Sequence, residues 1–157
     1  MEDPKLNQIL ISDFFEHSRL KEELISDQGT NNVKELGKIL YESCEVDPTE
    51  NDKKNKKKKI KFNSPLTNNQ IRKYYDSFLK IYYSMVEPDV KKIQLLMLKA
   101  NSEYSAERNG TYRFAKFLNN RLSLVISKSG DDFEKYLDAF KLHFEALVGY
   151  YPRKQEN

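Results

Sequence analysis

The side chains that could do chemistry in this sequence are few and scattered. His17 and His143 are separated by most of the chain, and neither stands in a metal-ligand spacing such as H-E-x-x-H. His143 falls beside the apolar face of a helix-patterned stretch, where a satisfied packing histidine is the plainer assignment than a catalytic one. Asp131, Asp132 and Glu134 crowd a helix start, where the macrodipole favours carboxylates, so capping accounts for them better than acid–base work. Cys44 is the single cysteine, which excludes a disulfide framework and a cysteine zinc site and fits a cytoplasmic location. No nucleophile stands at a recognisable spacing from a base, and no glycine-rich phosphate loop follows a strand. The expectation is a protein that is not an enzyme and needs no cofactor or metal.

The basic residues say more. Seven lysines fall within nine positions from Lys53, in a stretch that can attract phosphates through charge alone, without order and without choosing sequence. A second set falls on helix-patterned segments: Arg72, Lys73 and Lys80, then Lys99 and Arg108, then Arg113, Lys116 and Arg121. For each of these the alternative is a solvated helix surface. Arg108 also sits well near a helix C-terminus. Arg121 interrupts an apolar face between Leu118 and Leu122, so it must reach out at the edge of the fold or pair with something. Of the ten tyrosines, Tyr74, Tyr104 and Tyr136 fall on apolar stripes. Tyr82, Tyr83, Tyr112 and Tyr151 are freer, to stack on bases or to pack on a neighbouring subunit.

The elements that must position these residues are helices. Residues 1–30 carry one short helical pattern, with Leu6, Ile9, Leu10 and Phe14 on one side, and are expected to be an appendage. Asn32 with Glu35 begins a helix through Leu36, Ile39 and Leu40 to about Cys44, weakened at Gly37 by about 1 kcal/mol relative to Ala. Asp47 to Lys61 has almost nothing to bury and is expected to be a mobile, disordered Lys-rich loop. Thr67 and Gln70 form a capping box, with Leu66 and Ile71 as a hydrophobic staple. Ile71, Tyr74, Phe78, Ile81 and Met85 follow at helical steps.

Pro88 opens a central helix in which Val90, Ile93, Met97, Ala100 and Tyr104 make the stripe expected to be core. Leu95, Leu96 and Leu98 make it apolar nearly all round, the mark of a helix buried among neighbours. Asn109-Gly110 closes it. A fourth helix over about Thr111–Ser127 buries Phe114, Phe117, Leu118, Leu122 and Val125. A fifth, capped by Asp131 with Glu134, buries Phe133, Leu137, Phe140, Phe144, Leu147 and Tyr151 before Pro152 stops it. No strand pattern competes.

The fold class is therefore all-α, an antiparallel bundle of about five helices. The expected organisation is an N-terminal helical segment and Lys-rich loop over 1–61 and a main bundle over 62–157, packed as a single domain. The chain of 157 residues, 38% hydrophobic and 32% charged, is long enough to bury a core of its own. Five Gly and five Pro are too few for an all-β protein of many tight turns. No apolar run approaches a membrane span, and M-E-D-P-K carries no signal-peptide pattern. A net charge of +3 is mild, so any case for a polyanion rests on where the charges lie.

Four stretches, taken together, resemble a known family. These are F-N-S-P-L-T-N-N-Q-I-R-K at Phe62–Lys73, L-L-M-L-K-A-N-S-E-Y-S-A-E-R at Leu95–Arg108, F-A-K-F-L at Phe114–Leu118 and H-F-E-A-L-V-G-Y at His143–Tyr150. In order and spacing they resemble the small helical subunit of the type III-A CRISPR effector, the Csm complex, over about residues 60–151. The resemblance implies a non-catalytic, cytoplasmic, RNA-binding all-α subunit that stacks with other copies of itself as an inner filament. It implies guide RNA and target RNA as partners, together with the large and backbone subunits. Arg72, Lys99 and Arg108 match basic positions of that family's pattern. Lys73, Arg113, Lys116 and Arg121 are RNA-binding candidates on the surface reading alone. The family usually has Gly before the arginine matching Arg108, where this chain has Glu107. The other reading is a purely structural assembly subunit with no direct RNA role.

Overall fold

The computed structural model describes residues 3–26, 28–46 and 60–153. Among them are seven helices: α1 (Pro4–Leu10), α2 (Glu22–Ile25), α3 (Val33–Tyr41), α4 (Asn68–Tyr82), α5 (Pro88–Asn109), α6 (Tyr112–Ile126) and α7 (Gly130–Tyr150). Two short antiparallel strand pairs join them, β1 (Phe15–Glu16) with β2 (Arg19–Leu20) and β3 (Cys44–Val46) with β4 (Ile60–Asn63). The protein is mostly helical, as its periodicity predicts, but the expectation that it holds no strands is corrected.

The helix boundaries follow from local chemistry. At the start of α4, Thr67 Oγ1 accepts from the Gln70 amide at 3.1 Å and Gln70 Oε1 accepts from the Thr67 amide at 2.9 Å, a complete capping box. Asn32 Oδ1 accepts from the Glu35 amide at 3.0 Å to cap α3. Pro88 occupies the first turn of α5. Gly110, at φ +77°, ends that helix in the left-handed conformation that costs glycine little. A Cβ there would stand 3.1 Å from Ser64 Oγ, so strain and crowding both select glycine. The cap of α7 differs from expectation: the chain turns helical at Gly130, with Ser129 as N-cap and no side-chain cap bond. Asp131 and Asp132 lie in the first turn instead. The helix expected to run to about Cys44 ends at Tyr41, because Glu42 turns extended and leads into β3.

The core is built where α6 and α7 cross. Phe117, Leu118, Leu122, Val125, Phe140, Phe144 and Leu147 are all fully excluded from solvent. From α4, Ile71 and Phe78 join it, while Tyr74 and Ile81 are half-buried and Met85 lies wholly exposed beyond the helix end. Residues 3–44 do not form an appendage. Leu6, Ile9, Leu10, Phe14, Leu20, Leu24, Leu36 and Leu40 belong to the same hydrophobic cluster. α1 packs on α6, and α2, β2 and α3 pack on α7. The expected mobile loop over 47–61 lies outside the described residues at 47–59. Its last two positions, Ile60 and Lys61, begin β4, because the backbone there pairs with Val46 and Glu45.

α5 reverses the sequence reading. It packs between α4 and α6 and buries only Leu95, Leu98, Ser102 and Ala106. The stripe expected to be core faces water, with Ile93 and Met97 each 59% exposed and Tyr104 67%. The buried line continues through the small side chains Ser102 and Ala106, which let α6 approach closely.

His143 sits at the centre of the core, stacked on Phe14 at 5.7 Å and edge-on to Phe117 at 5.6 Å. It is a packing histidine but not a satisfied one, since neither ring nitrogen has a hydrogen-bond partner. Burial, reinforced by the nearby Arg121 charge, holds it well below the usual imidazole value. The unfolded imidazole takes a proton near pH 6.5, and the folded one does not. The unfolded state therefore binds more protons below that pH, and this group lowers stability as pH falls through about 6.5, by at most about 1.4 kcal/mol per unit. Thermal denaturation of the protein and of His143→Phe between pH 7.5 and 5 is expected to show a flatter acid limb in the variant.

Candidate nucleic-acid interface

The seven basic residues singled out by sequence divide into two groups. Arg113 and Arg121 are not on the surface; they are 5% and 0% exposed. Arg113 donates from Nε to Asp3 Oδ2 at 2.7 Å, from Nη2 to Asp3 Oδ1 at 3.2 Å and from Nη1 to the Ile39 carbonyl at 2.9 Å. Burial pulls its pKa down, but the hydrogen bonds and charge of Asp3 outweigh that and leave it raised. Arg121 donates from Nη1 to the Ser12 carbonyl at 2.9 Å and from Nη2 to the Ile9 carbonyl at 3.4 Å, and lies over the Phe14 ring at 5.5 Å. Burial pulls it down to about 10. Both point inward to the N-terminal segment, so their place as RNA contacts is corrected. The interruption at Arg121 resolves into pairing rather than reaching out.

Arg72, Lys73, Arg108 and Lys116 are exposed, and Lys99 is half-exposed. None of the five has an ion-pair partner among the described residues. Rigid helices position each one. Lys73 opens onto the groove between α4 and α5, beside Tyr74, Leu98 and Asn101. Lys99 lies on the opposite side of α5, its Nζ donating to Ser123 Oγ of α6 at 2.8 Å. Arg108, in the last turn of α5, rests over the Tyr104 ring at 5.9 Å. These three frame the outer face of α5. Arg72, a residue away from Lys73, turns to the other side of α4 and lines a groove with Tyr41, Leu66, Asn69 and Arg153. Lys116 lies across α6, at its groove with α1 beside Leu10 and Asn120.

Arg153 is a cation the sequence reading missed. It follows Pro152 at the end of α7, and only the fold brings it to Arg72. The tyrosines also sort differently from expectation. Tyr151 is buried, its hydroxyl donating to the Leu66 carbonyl at 2.8 Å. Tyr136 is buried and donates to Asp13 Oδ2 at 2.7 Å, burial and that bond raising its pKa to about 12. Tyr82 donates to Asp138 Oδ1 at 2.6 Å. Tyr83, Tyr104, Tyr112 and Tyr150 are exposed.

Fixed cations at helix edges can hold phosphates in place without selecting bases. Among the described residues no group of three or more His, Cys, Asp or Glu is placed to hold a metal ion, and no helix is long and apolar enough to cross a membrane.

A sequence model of the family Csm2 Type III-A matches residues 45–157. No curated protein and no solved structure matches the chain.

Removing one partner of a buried ion pair typically costs about 3–5 kcal/mol, whereas an apolar replacement of both is often close to neutral. Chemical denaturation is expected to show that loss for Asp3→Ala and for Arg113→Ala, and recovery of most of it in Asp3→Leu/Arg113→Met. Arg72→Ala is expected to change stability by less than about 0.5 kcal/mol.

Proposed function

The chain belongs to the Csm2 Type III-A family and is a small subunit of the type III-A CRISPR–Cas effector, the Csm complex, and we propose that within that complex it is a non-catalytic RNA-binding subunit. It lies beside the guide RNA and target RNA, repeats along them as an inner filament, and touches the large and backbone subunits. The observation that carries this reading is the set of unpaired cations on rigid helices: Lys73, Lys99 and Arg108 around α5, with Arg72 and Lys116 to either side.

The mechanism is physical. Base pairing between guide and target reads the sequence, so a protein beside the duplex needs only shape and charge. Lysine and arginine follow phosphates without discriminating among bases. One copy binds weakly, and repetition along one strand supplies strength through effective concentration. Glu107, beside Arg108, sets a carboxylate where a phosphate would come close, so Arg108 contributes from the side rather than through the helix end.

A purely structural assembly subunit is the second reading, and the apolar outer face of α5 favours it. Charge reversal separates the two. Arg72→Glu/Lys99→Glu/Arg108→Glu is expected to abolish the RNA mobility shift of the isolated protein while the effector still assembles. Lost assembly with an unchanged shift would favour the structural reading. The unsubstituted protein is expected to bind single-stranded RNA weakly and without sequence preference. The slope of log K against log salt should be about −0.7 per phosphate neutralised, or about −3.5 for five contacts. Tight, sequence-selective, salt-indifferent binding would overturn the mechanism.

A further inference from the structure

Polar side chains with unused hydrogen-bonding groups surround an apolar floor in the groove between α4 and α5. Leu98, 4% exposed, and the half-buried Tyr74 make the floor. Tyr74 packs on the Phe114 ring at 5.0 Å, which holds its own ring in place. Gln70, Lys73, Ser77 and Asn101 stand around that floor, and no carboxylate lines the groove. The Lys73 ammonium, the Ser77 hydroxyl and the Asn101 amide make no side-chain hydrogen bond among the described residues. Gln70 Oε1 accepts from the Thr67 amide at 2.9 Å, which fixes that side chain and leaves its amide nitrogen to donate.

We propose that this groove takes one unpaired nucleotide of single-stranded RNA. The base lies on Tyr74 and Leu98, its edge meets the Gln70 and Asn101 amides, and Lys73 holds the adjoining phosphate. This inference rests on the RNA-binding reading above and extends it from phosphates to a base. Three features choose the occupant. A base is a flat ring with apolar faces and a polar edge, and an aromatic floor with a rim of amides matches both. The groove's volume, about 260 Å³, is below that of a pocket for a drug-sized molecule and suits a single ring system. Its one charged side chain is a cation, as a phosphate requires.

The rim tolerates different bases. The Asn101 amide carries both donors and an acceptor, and the Ser77 hydroxyl does as well, so either can turn to suit the edge it meets. Stacking supplies most of the binding, and every base has a face to stack. The groove therefore adds affinity without imposing a sequence. Because Tyr74 and Gln70 are already held in place, little ordering opposes entry. A base inside a duplex cannot reach the floor, so the groove serves unpaired RNA alone.

Fluorescence anisotropy of the full chain tests the proposal with two probes of equal charge, a short oligouridylate and an abasic ribose–phosphate strand of the same length. The oligouridylate is expected to bind about fivefold more tightly or better, fivefold being the low end for one base stacked on an aromatic ring. Tyr74→Leu, which keeps apolar bulk, is expected to close most of that gap. Asn101→Ala, at an exposed site, is expected to narrow it severalfold, and it keeps the test decisive where Tyr74→Leu disturbs the packing on Phe114. Both are expected to leave the salt slope unchanged, whereas Lys73→Ala weakens the two probes alike and lowers the slope by about 0.7. Circular dichroism checks that each variant keeps its helices. Equal binding of the two probes overturns the base site and leaves the RNA-binding reading standing, while binding of neither overturns both. A gap that survives Asn101→Ala, or a folded Tyr74→Leu, also overturns the base site.

Discussion

Two buried arginines on one helix hold the N-terminal segment to the bundle. Arg113 and Arg121 are eight residues apart on α6, about 12 Å along its axis, and α1 lies alongside at matching length. Arg113 takes Asp3 at the N-terminus of α1, and Arg121 takes the carbonyls of Ile9 and Ser12 at its end. The second grip satisfies orphan carbonyls at a helix C-terminus, where a cation is favoured. Neither guanidinium could be taken from water without such partners, since burying an unpaired charge costs several kcal/mol. Phe14, inserted between His143, Tyr136 and Arg121, seals the joint. Residues 3–44 precede the stretch that matches the Csm2 family, yet they share its core.

That joint decides where positive charge can act. It draws Arg113 and Arg121 inward and leaves Arg72, Lys73, Lys99, Arg108 and Lys116 at the edges of α4, α5 and α6. α5 is the consequential element, because it is apolar on two opposite sides and its neighbours cover only one. The uncovered side is flanked by Lys73 of α4 and by Lys99 and Arg108 of α5, so an apolar strip and three of the cations proposed to meet phosphates lie close together.

Much of the helical architecture was legible in the sequence. The Thr67/Gln70 box, the apolar steps of α6 and α7, Pro88 and Gly110 each act locally, and each is found where local chemistry puts it. The face that α5 buries was not legible, because periodicity cannot choose between two apolar sides. The weaker clue was Ser102 and Ala106, whose small size permits close approach. Arg113 and Arg121 were misplaced for the opposite reason. Their partners lie more than a hundred residues away, at Asp3, Ile9 and Ser12, and no local pattern signals them. The strand pairs leave no sequence signal because they are two to four residues long, too short for an alternating pattern to show. Arg153 reaches the groove that Arg72 lines only through the return of α7 to the start of α4.

The pairing of β3 with β4 bears on the lysine-rich stretch between them. Asn63, at the foot of the ladder, donates to the carbonyls of Leu40 and Glu42 and accepts from the Arg113 amide, and Ser64 bonds the Gly110 carbonyl. Both strands that flank that stretch are thus anchored to the body of the protein. Lengthening a connection between two fixed ends costs only logarithmically in chain entropy, about 0.6 kcal/mol for each doubling. Insertions or deletions of lysines between positions 46 and 60 are therefore expected to leave the anchored strands and the helices in place.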